Sequence, residues 1–169
     1  MEAENESTLV ELIFYNNWAN QQVLQACQNL SEDQLATKNP GAYGTIRDTL
    51  EHIIRSEAGY VKLLTGSRPQ PPFDWKNRPG IEDMMAYSAQ VGDALLDAVE
   101  HVQPTDPIEQ EIDGKQRRYQ AKAVFIQIID HGIEHRTNIT TILNQGLQTP
   151  PDVDGWGYLL SHLDRFELK

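Results

Sequence analysis

Apolar residues recur every three or four positions in four long stretches of this chain, the spacing that places them on one face of a helix. In the first, Leu9, Leu12, Ile13, Val23, Leu24, Cys27 and Leu30 form the stripe. The helix is predicted to begin at Ser7 or Thr8, with Glu11 placed to close a capping box with Thr8. Asn16 and Asn20 fall on the same stripe, where a buried amide is costly unless it finds partners. They either bond a neighbouring helix or line a polar cavity. A second helix is predicted from Ile46 to Leu64, capped by Thr45, stopped by Gly66 and Pro69, and built on Ile46, Leu50, Ile53, Tyr60, Val61 and Leu64. A third runs from Ile81 to Val102 on Met84, Met85, Val91, Leu95, Leu96 and Val99, and ends at Pro104 and Pro107. The fourth, Val124 to Asn144, carries Val124, Ile128, Ile139, Ile142 and Leu143, with His131 and His135 on that same apolar stripe.

The intervening segments read differently. Ser31 to Gln34 forms a short helical turn, and Lys38 to Gly44 is a loop containing Pro40, Gly41 and Gly44. Arg68 to Gly80 holds Pro69, Pro71, Pro72 and Pro79 and cannot be regular throughout. Phe73 and Trp75 within it predict that the connector packs down. Asp113-Gly114 between two short alternating runs is a two-residue hairpin turn. After Pro150-Pro151, a short helix from Asp152 to His162 has Trp156, Tyr158 and Leu159 to bury. The expected fold is therefore all-α. It is an up-and-down four-helix bundle with a small β-hairpin before the fourth helix and a short C-terminal helix, forming a single domain over residues 1–169.

Composition narrows the function. With 39% hydrophobic and 23% charged residues, the sequence is that of an ordinary globular chain. Twenty-five acidic against 14 basic residues give a net charge of −11. No basic patch interrupts it, since the doublet Arg117-Arg118 reads as a solvated turn. Binding to nucleic acid or to an anionic membrane is disfavoured. The single cysteine, Cys27, cannot form an internal disulfide, fits a reducing compartment and falls on an apolar face as a small buried residue. The acidic start MEAENEST is unlike a secretory leader, and no apolar run approaches the ~18 residues that span a bilayer. The expected location is the cytoplasm.

The chemistry lies in the histidines. His131 and His135 are one turn apart on one face, so their rings can reach one point. A metal site able to do chemistry needs a third protein ligand and an open position. His52, on the flank of the second helix, is the natural third, because a neighbouring helix in the bundle can turn that flank toward the pair. His101, at a helix C-terminus, and His162, near the chain end, are weaker candidates. Imidazole suits zinc, nickel, iron(II) or copper. A divalent ion is expected, zinc or nickel first, with iron or manganese behind them. HGIEH fits the inverted zinc-protease spacing, but no protease architecture surrounds it. Glu134 beside His135 is a candidate catalytic base, set against the plainer reading of a solvated helix-face glutamate. The residues three before His52, His131 and His135 are Thr49, Ile128 and Gly132, which excludes the carboxylate-bridged di-iron pattern.

With these residues in view the chain resembles the DinB/YfiT-like superfamily of metalloenzymes over nearly its whole length. The resemblance rests on FYNNWANQQVLQAC in the first helix, TIRDTLEHIIRSEAGYV in the second, the HxxxHR run His131 to Arg136, and the tail LNQGLQTPPDVDGWGYL. One departure stands at Arg136-Thr137-Asn138, where relatives often carry Arg-Gly-Gln. The resemblance implies a four-helix bundle, frequently a homodimer, with a three-histidine site mapping onto His52, His131 and His135. It also implies a thiol-dependent S-transferase or isomerase acting on a small-molecule substrate with a low-molecular-weight thiol. The alternatives are a metal-dependent hydrolase, a metal-binding module without turnover, and a structural bundle with neutral buried histidines. The exposed-looking Phe73 and Trp75 add a motive for a partner surface.

Overall fold

Side-chain caps start the first three helices close to where the sequence places them. The computed structural model describes residues 7–168. Ser7 accepts from the Val10 N–H and opens α1, Thr8–Cys27. The capping box expected between Thr8 and Glu11 does not form. The Glu11 carboxylate is taken instead by the Tyr158 hydroxyl at 2.5 Å and by Arg165 at 2.8 Å, partners from the far end of the chain. Ser31 and Gln34 cap each other reciprocally at α2, Glu32–Leu35. Thr45 and Asp48 do the same at α3, Ile46–Thr65, which Gly66 ends in the left-handed conformation at φ 83°. Helix α4 spans Ile81–His101. Strands β1, Pro107–Ile112, and β2, Lys115–Gln120, pair antiparallel, with Asp113 and Gly114 both at positive φ as the tight turn requires. Helix α5, Lys122–Asn144, starts directly off β2, because the N–H groups of Ala121 and Lys122 bond back to Asp106 and Pro104. Two short helices follow, α6, Gly155–Ser161, and α7, Leu163–Phe166.

The four long helices form a bundle as expected, with α1 and α3 each packed against both α4 and α5, but the simple up-and-down order is broken between α3 and α4 by the long connector. Contacts along the helices fix their directions. Asn17, Gln21 and Gln28 bond Gly92, Met85 and Glu82 in turn, so α1 and α4 are antiparallel. Arg47, at the start of α3, donates to the Pro79 carbonyl just before α4 begins. The Pro-rich connector thus carries the chain back along the bundle, and α3 and α4 run the same way. The core is continuous, with Ile13, Ile46, Met84, Val91, Leu95, Ile128, Ile139 and Leu143 fully buried. Cys27 lies within it, its thiol pushed up to about 12 by burial, as fits an inert core residue.

The connector packs down. Phe73 stacks on Tyr87 at 4.6 Å between ring centroids and meets Trp75 edge-on at 4.5 Å, while Arg55 lies over the Trp75 ring. Phe73 and Trp75 pack against the core of the chain and remain partly exposed. At the C-terminal end Tyr158 is buried against Trp18 and Tyr15, but Trp156, expected inside, is 73% exposed. Gly157 sits where a Cβ would meet the Asp152 carbonyl at 2.6 Å, so the helix docks on its glycine and tyrosine face and turns Trp156 outward. Among the described residues no helix is long and apolar enough to cross a membrane.

Replacing Phe73 with Ala removes both ring contacts, each worth about 0.5–1.5 kcal/mol beyond its buried area. Limited proteolysis within residues 66–80 is expected to accelerate roughly tenfold while helical circular dichroism is unchanged. An unaltered cleavage rate would show that the rings do not hold the connector.

Candidate metal centre

Helix α5 presents His131 and His135 one turn apart, and antiparallel α3 brings His52 across from them. The three rings offer ligand atoms all within 4.8 Å of one another. His131 Nε2 and His52 Nε2 are 3.0 Å apart, and the ring centroids lie 4.3 to 4.8 Å from each other. Two nitrogens bound tetrahedrally to one ion at about 2.0–2.1 Å stand roughly 3.3 Å apart, so the donor set fits a single divalent ion. His131 and His135 are buried and His52 is partly exposed, which leaves one side open. The Nδ1 atoms of His131 and His135 are buried and, among the described residues, have no hydrogen-bond partner. Each such orphaned atom costs about 1–3 kcal/mol.

Burial also sets the charge state. His131 is pushed down to about 4, by desolvation first and then by the neighbouring His135, His52 and Arg136 charges. His52 and His135 are lowered as well, chiefly by burial, with the Glu134 carboxylate pulling both back up. Neutral imidazole is the form that binds a metal. Two tyrosines flank the trio. Tyr43, from the loop before α3, stacks on His52 at 4.0 Å and meets His135 edge-on at 5.1 Å. Tyr60 meets His131 edge-on at 5.8 Å.

Behind the histidines lies a buried polar network. Arg136, 1% exposed, donates through Nη1 to Asn16 Oδ1 and Asn20 Oδ1, both at 2.7 Å. The same two amides donate through Nδ2 to the buried Glu57 carboxylate, at 2.7 Å from Asn16 and at 2.8 and 3.0 Å from Asn20. Each amide turns its oxygen to the cation and its nitrogen to the anion, so the two relay a charge pair across α1. Burial pushes the Glu57 carboxyl up, opposed by the two amide donors and by Arg136. Gly132 makes room for this, since a Cβ there would meet Asn16 Oδ1 at 2.4 Å and Arg136 Nη1 at 2.6 Å. Of the two readings of Asn16 and Asn20, the structure therefore gives bonding between helices.

A profile of the DinB family matches residues 1–165, nearly the whole chain. The chain belongs to the DinB family. It is also similar to Protein DinB of Bacillus subtilis (strain 168), 21% identical over 145 residues that cover 80% of this chain and 84% of that protein. In this DinB-family chain the fold gathers His52, His131 and His135, as the spacing and the resemblance led us to expect. His101 and His162 are elsewhere. His101 caps its own helix end against Asp97, which raises its pKa through the Asp97 carbonyl and carboxylate, and His162 packs on Trp18 and Tyr158. Glu134 is exposed beside the trio, near enough for its charge to act on His52 and His135. Sequence reasoning passed over Glu57, Arg136, Gly132, Tyr43 and the placement of Tyr60. Glu57 carries a readable signal, because it lies on the stripe with Leu50, Ile53, Ile54 and Val61, an acid amid apolar residues. Tyr43 in a loop carries none.

Arg136→Met leaves Glu57 an unpaired buried charge and is expected to cost about 3–5 kcal/mol in urea unfolding. Gly132→Ala is expected to destabilise despite the ~1 kcal/mol helix preference of Ala over Gly, because the network must move. Gain of stability in Gly132→Ala would refute the packing described. In metal-free protein, His131 titrates near 4 when folded and near ~6.5 when unfolded, so the unfolded chain binds more protons between those values. Its contribution to stability is full above about 6.5, falls as pH drops through that window, and levels off below about 4. The difference in thermal midpoint between wild type and His131→Gln, followed from pH 7 to 4, should show this trend; a flat difference contradicts it.

Proposed function

We propose that His52, His131 and His135 hold one divalent metal ion and that the protein is a metal-dependent enzyme transferring a small thiol to an electrophile. The observation that carries this reading is the convergence of three neutral imidazoles beside an open cavity. A divalent ion held there supplies a positive field that lowers the pKa of a thiol, or of water. The chain's residues do the rest. A cavity of about 370 Å³ opens on His52, bordered by Tyr43, Asp48, Glu51 and Arg55. Its mixed charges suit a thiol carrying both ammonium and carboxylate groups. Glu134, exposed and electrostatically coupled to His52 and His135, accepts the thiol proton. Sulfur then bonds to the electrophilic carbon as the leaving group departs with the electron pair of its broken bond. A hydrolase is the second reading, favoured by the same field acting on water.

Elemental analysis should find about one ion per chain in wild type and roughly tenfold less in each of His52→Ala, His131→Ala and His135→Ala, as expected when a ligand of a three-donor site is lost. Wild-type metal in all three variants rejects the site. Turnover of monochlorobimane with a panel of small thiols should require metal and fall at least a hundredfold in His135→Ala, with Glu134→Gln losing roughly ten- to a hundredfold in kcat. Ester hydrolysis without thiol transfer selects the hydrolase, and neither activity in metal-loaded protein rejects the enzyme.

The protein is further proposed to act as a homodimer. Exposed Leu12, Ile126 and Ile133 rim an apolar groove between α1 and α5, flanked by Lys122 and Asp130. Light scattering should give a mass near twice 19.2 kDa, reduced to one chain by Ile126→Glu; a wild-type monomer rejects the dimer.

A further inference from the structure

A second cavity lies on the opposite flank of the histidines, beneath the hairpin. It is an open groove of about 430 Å³ lined by Tyr60 and Leu63 of α3, Ile112 and Tyr119 of the hairpin, and Val124 and Gln127 of α5, with Gln110 and Ala123 at its edge. The volume lies within the ~300–1,000 Å³ common for small-molecule pockets. Its wall contains no ionisable group other than two tyrosines. In a chain with 14 basic and 25 acidic residues, that is unlike the cavity at His52, which Asp48, Glu51 and Arg55 border. Tyr60 joins the two regions. One side of its ring meets His131, its hydroxyl receives a bond from Gln127 at 3.4 Å, and burial raises its pKa, so the phenol is protonated. The hairpin is not needed to close a helical bundle, yet Ile112, 41% exposed, is turned to this space. Charge enters only farther out, where an adjoining cavity sharing Tyr60, Leu63 and Gln110 reaches Lys62, Arg68 and Glu109.

We infer that the Tyr60 cavity beneath the hairpin binds the uncharged, apolar body of the electrophile, and that the charged cavity at His52 takes the thiol. The assignment rests on the function proposed above. An apolar ring or alkyl group fills the space among Leu63, Ile112 and Val124, and an acceptor atom on it takes the Tyr60 hydroxyl or the Gln127 amide. A charged body finds no counter-ion in that wall and gives up part of its hydration there, so it binds more weakly than an uncharged one. The pocket thereby sets specificity for uncharged aromatic or alkyl electrophiles.

The test reads binding, not turnover. Zinc-loaded, nitrogen-15-labelled protein is titrated with 2,4-dinitrotoluene, an uncharged and unreactive probe, and with 2,4-dinitrobenzoate as its anionic counterpart. Dinitrotoluene should shift the amide signals of Gln110, Tyr119 and Gln127, and dinitrobenzoate should bind at least tenfold more weakly. Ala123→Trp, which fills the cavity from an exposed position, and Ile112→Glu, which charges its wall, should each weaken dinitrotoluene at least tenfold without reducing bound zinc. In cobalt-loaded protein the probe's methyl resonance should broaden, and lose that broadening in His135→Ala. Unchanged affinity in both cavity variants, or equal affinity for the anion, overturns the subsite. Binding without cobalt broadening overturns its membership of the metal centre. Failure of the wild type to take up zinc or cobalt overturns the metal reading instead, and the cavity variants of the metal-free protein still report whether the pocket is a ligand site.

Discussion

A charge pair taken out of water must be answered inside the protein, and in this bundle the answer ties three helices together. Glu57 on α3 and Arg136 on α5 do not touch in a direct fork. They are joined through the amides of Asn16 and Asn20 on α1, each bonding anion and cation at once. An amide shifted along its helix loses both partners, and an uncompensated buried charge costs several kcal/mol. The network therefore fixes the axial register of α1, α3 and α5 more sharply than apolar packing does, since leucine and isoleucine surfaces tolerate sliding. Gly132 belongs to the same constraint, because a Cβ there would occupy the space of the Asn16 and Arg136 atoms.

The histidines inherit that register. His135 precedes Arg136 in the chain, and His52 stands on α3 little more than a turn from Glu57, so holding Glu57 opposite Arg136 also holds His52 opposite His131 and His135. A metal-binding constellation needs its donors fixed to a fraction of an ångström by groups that do not themselves ligate. Here that support comes from behind the rings and not from hydrogen bonds to them, as the unpartnered Nδ1 atoms of His131 and His135 make plain. The front of the site is left to exposed groups, with Tyr43 laid over His52 from a loop and Glu134 in solvent.

The two sides of the centre differ chemically because different elements build them. The first turns of α3, rich in caps and charges, make the opening at His52 polar. The end of α3, the hairpin and the first turns of α5 make the other side amide- and hydrocarbon-lined. That asymmetry comes from chain topology. The proline-rich connector returns to the start of α3, leaving the far end of α3 free for the hairpin to cover.

Much of this was written in the sequence. Helical spacing sets out the four long helices, Asp113-Gly114 the hairpin, and Thr45 and Gly66 the limits of α3, because these are local preferences of the backbone and its nearest side chains. His131 and His135 announce themselves for the same reason, one turn on one face. His52 is legible as a flank position that only a neighbouring helix could complete. What tertiary structure decided are the matters that depend on residues far apart in the chain. Glu11 leaves its expected cap for Tyr158 and Arg165. Trp156 turns outward because Gly157 and Tyr158 take the docking face. Asn16 and Asn20 are visible as misplaced amides, but their partners on two other helices are not, since periodicity shows which face a residue occupies and never what stands opposite it.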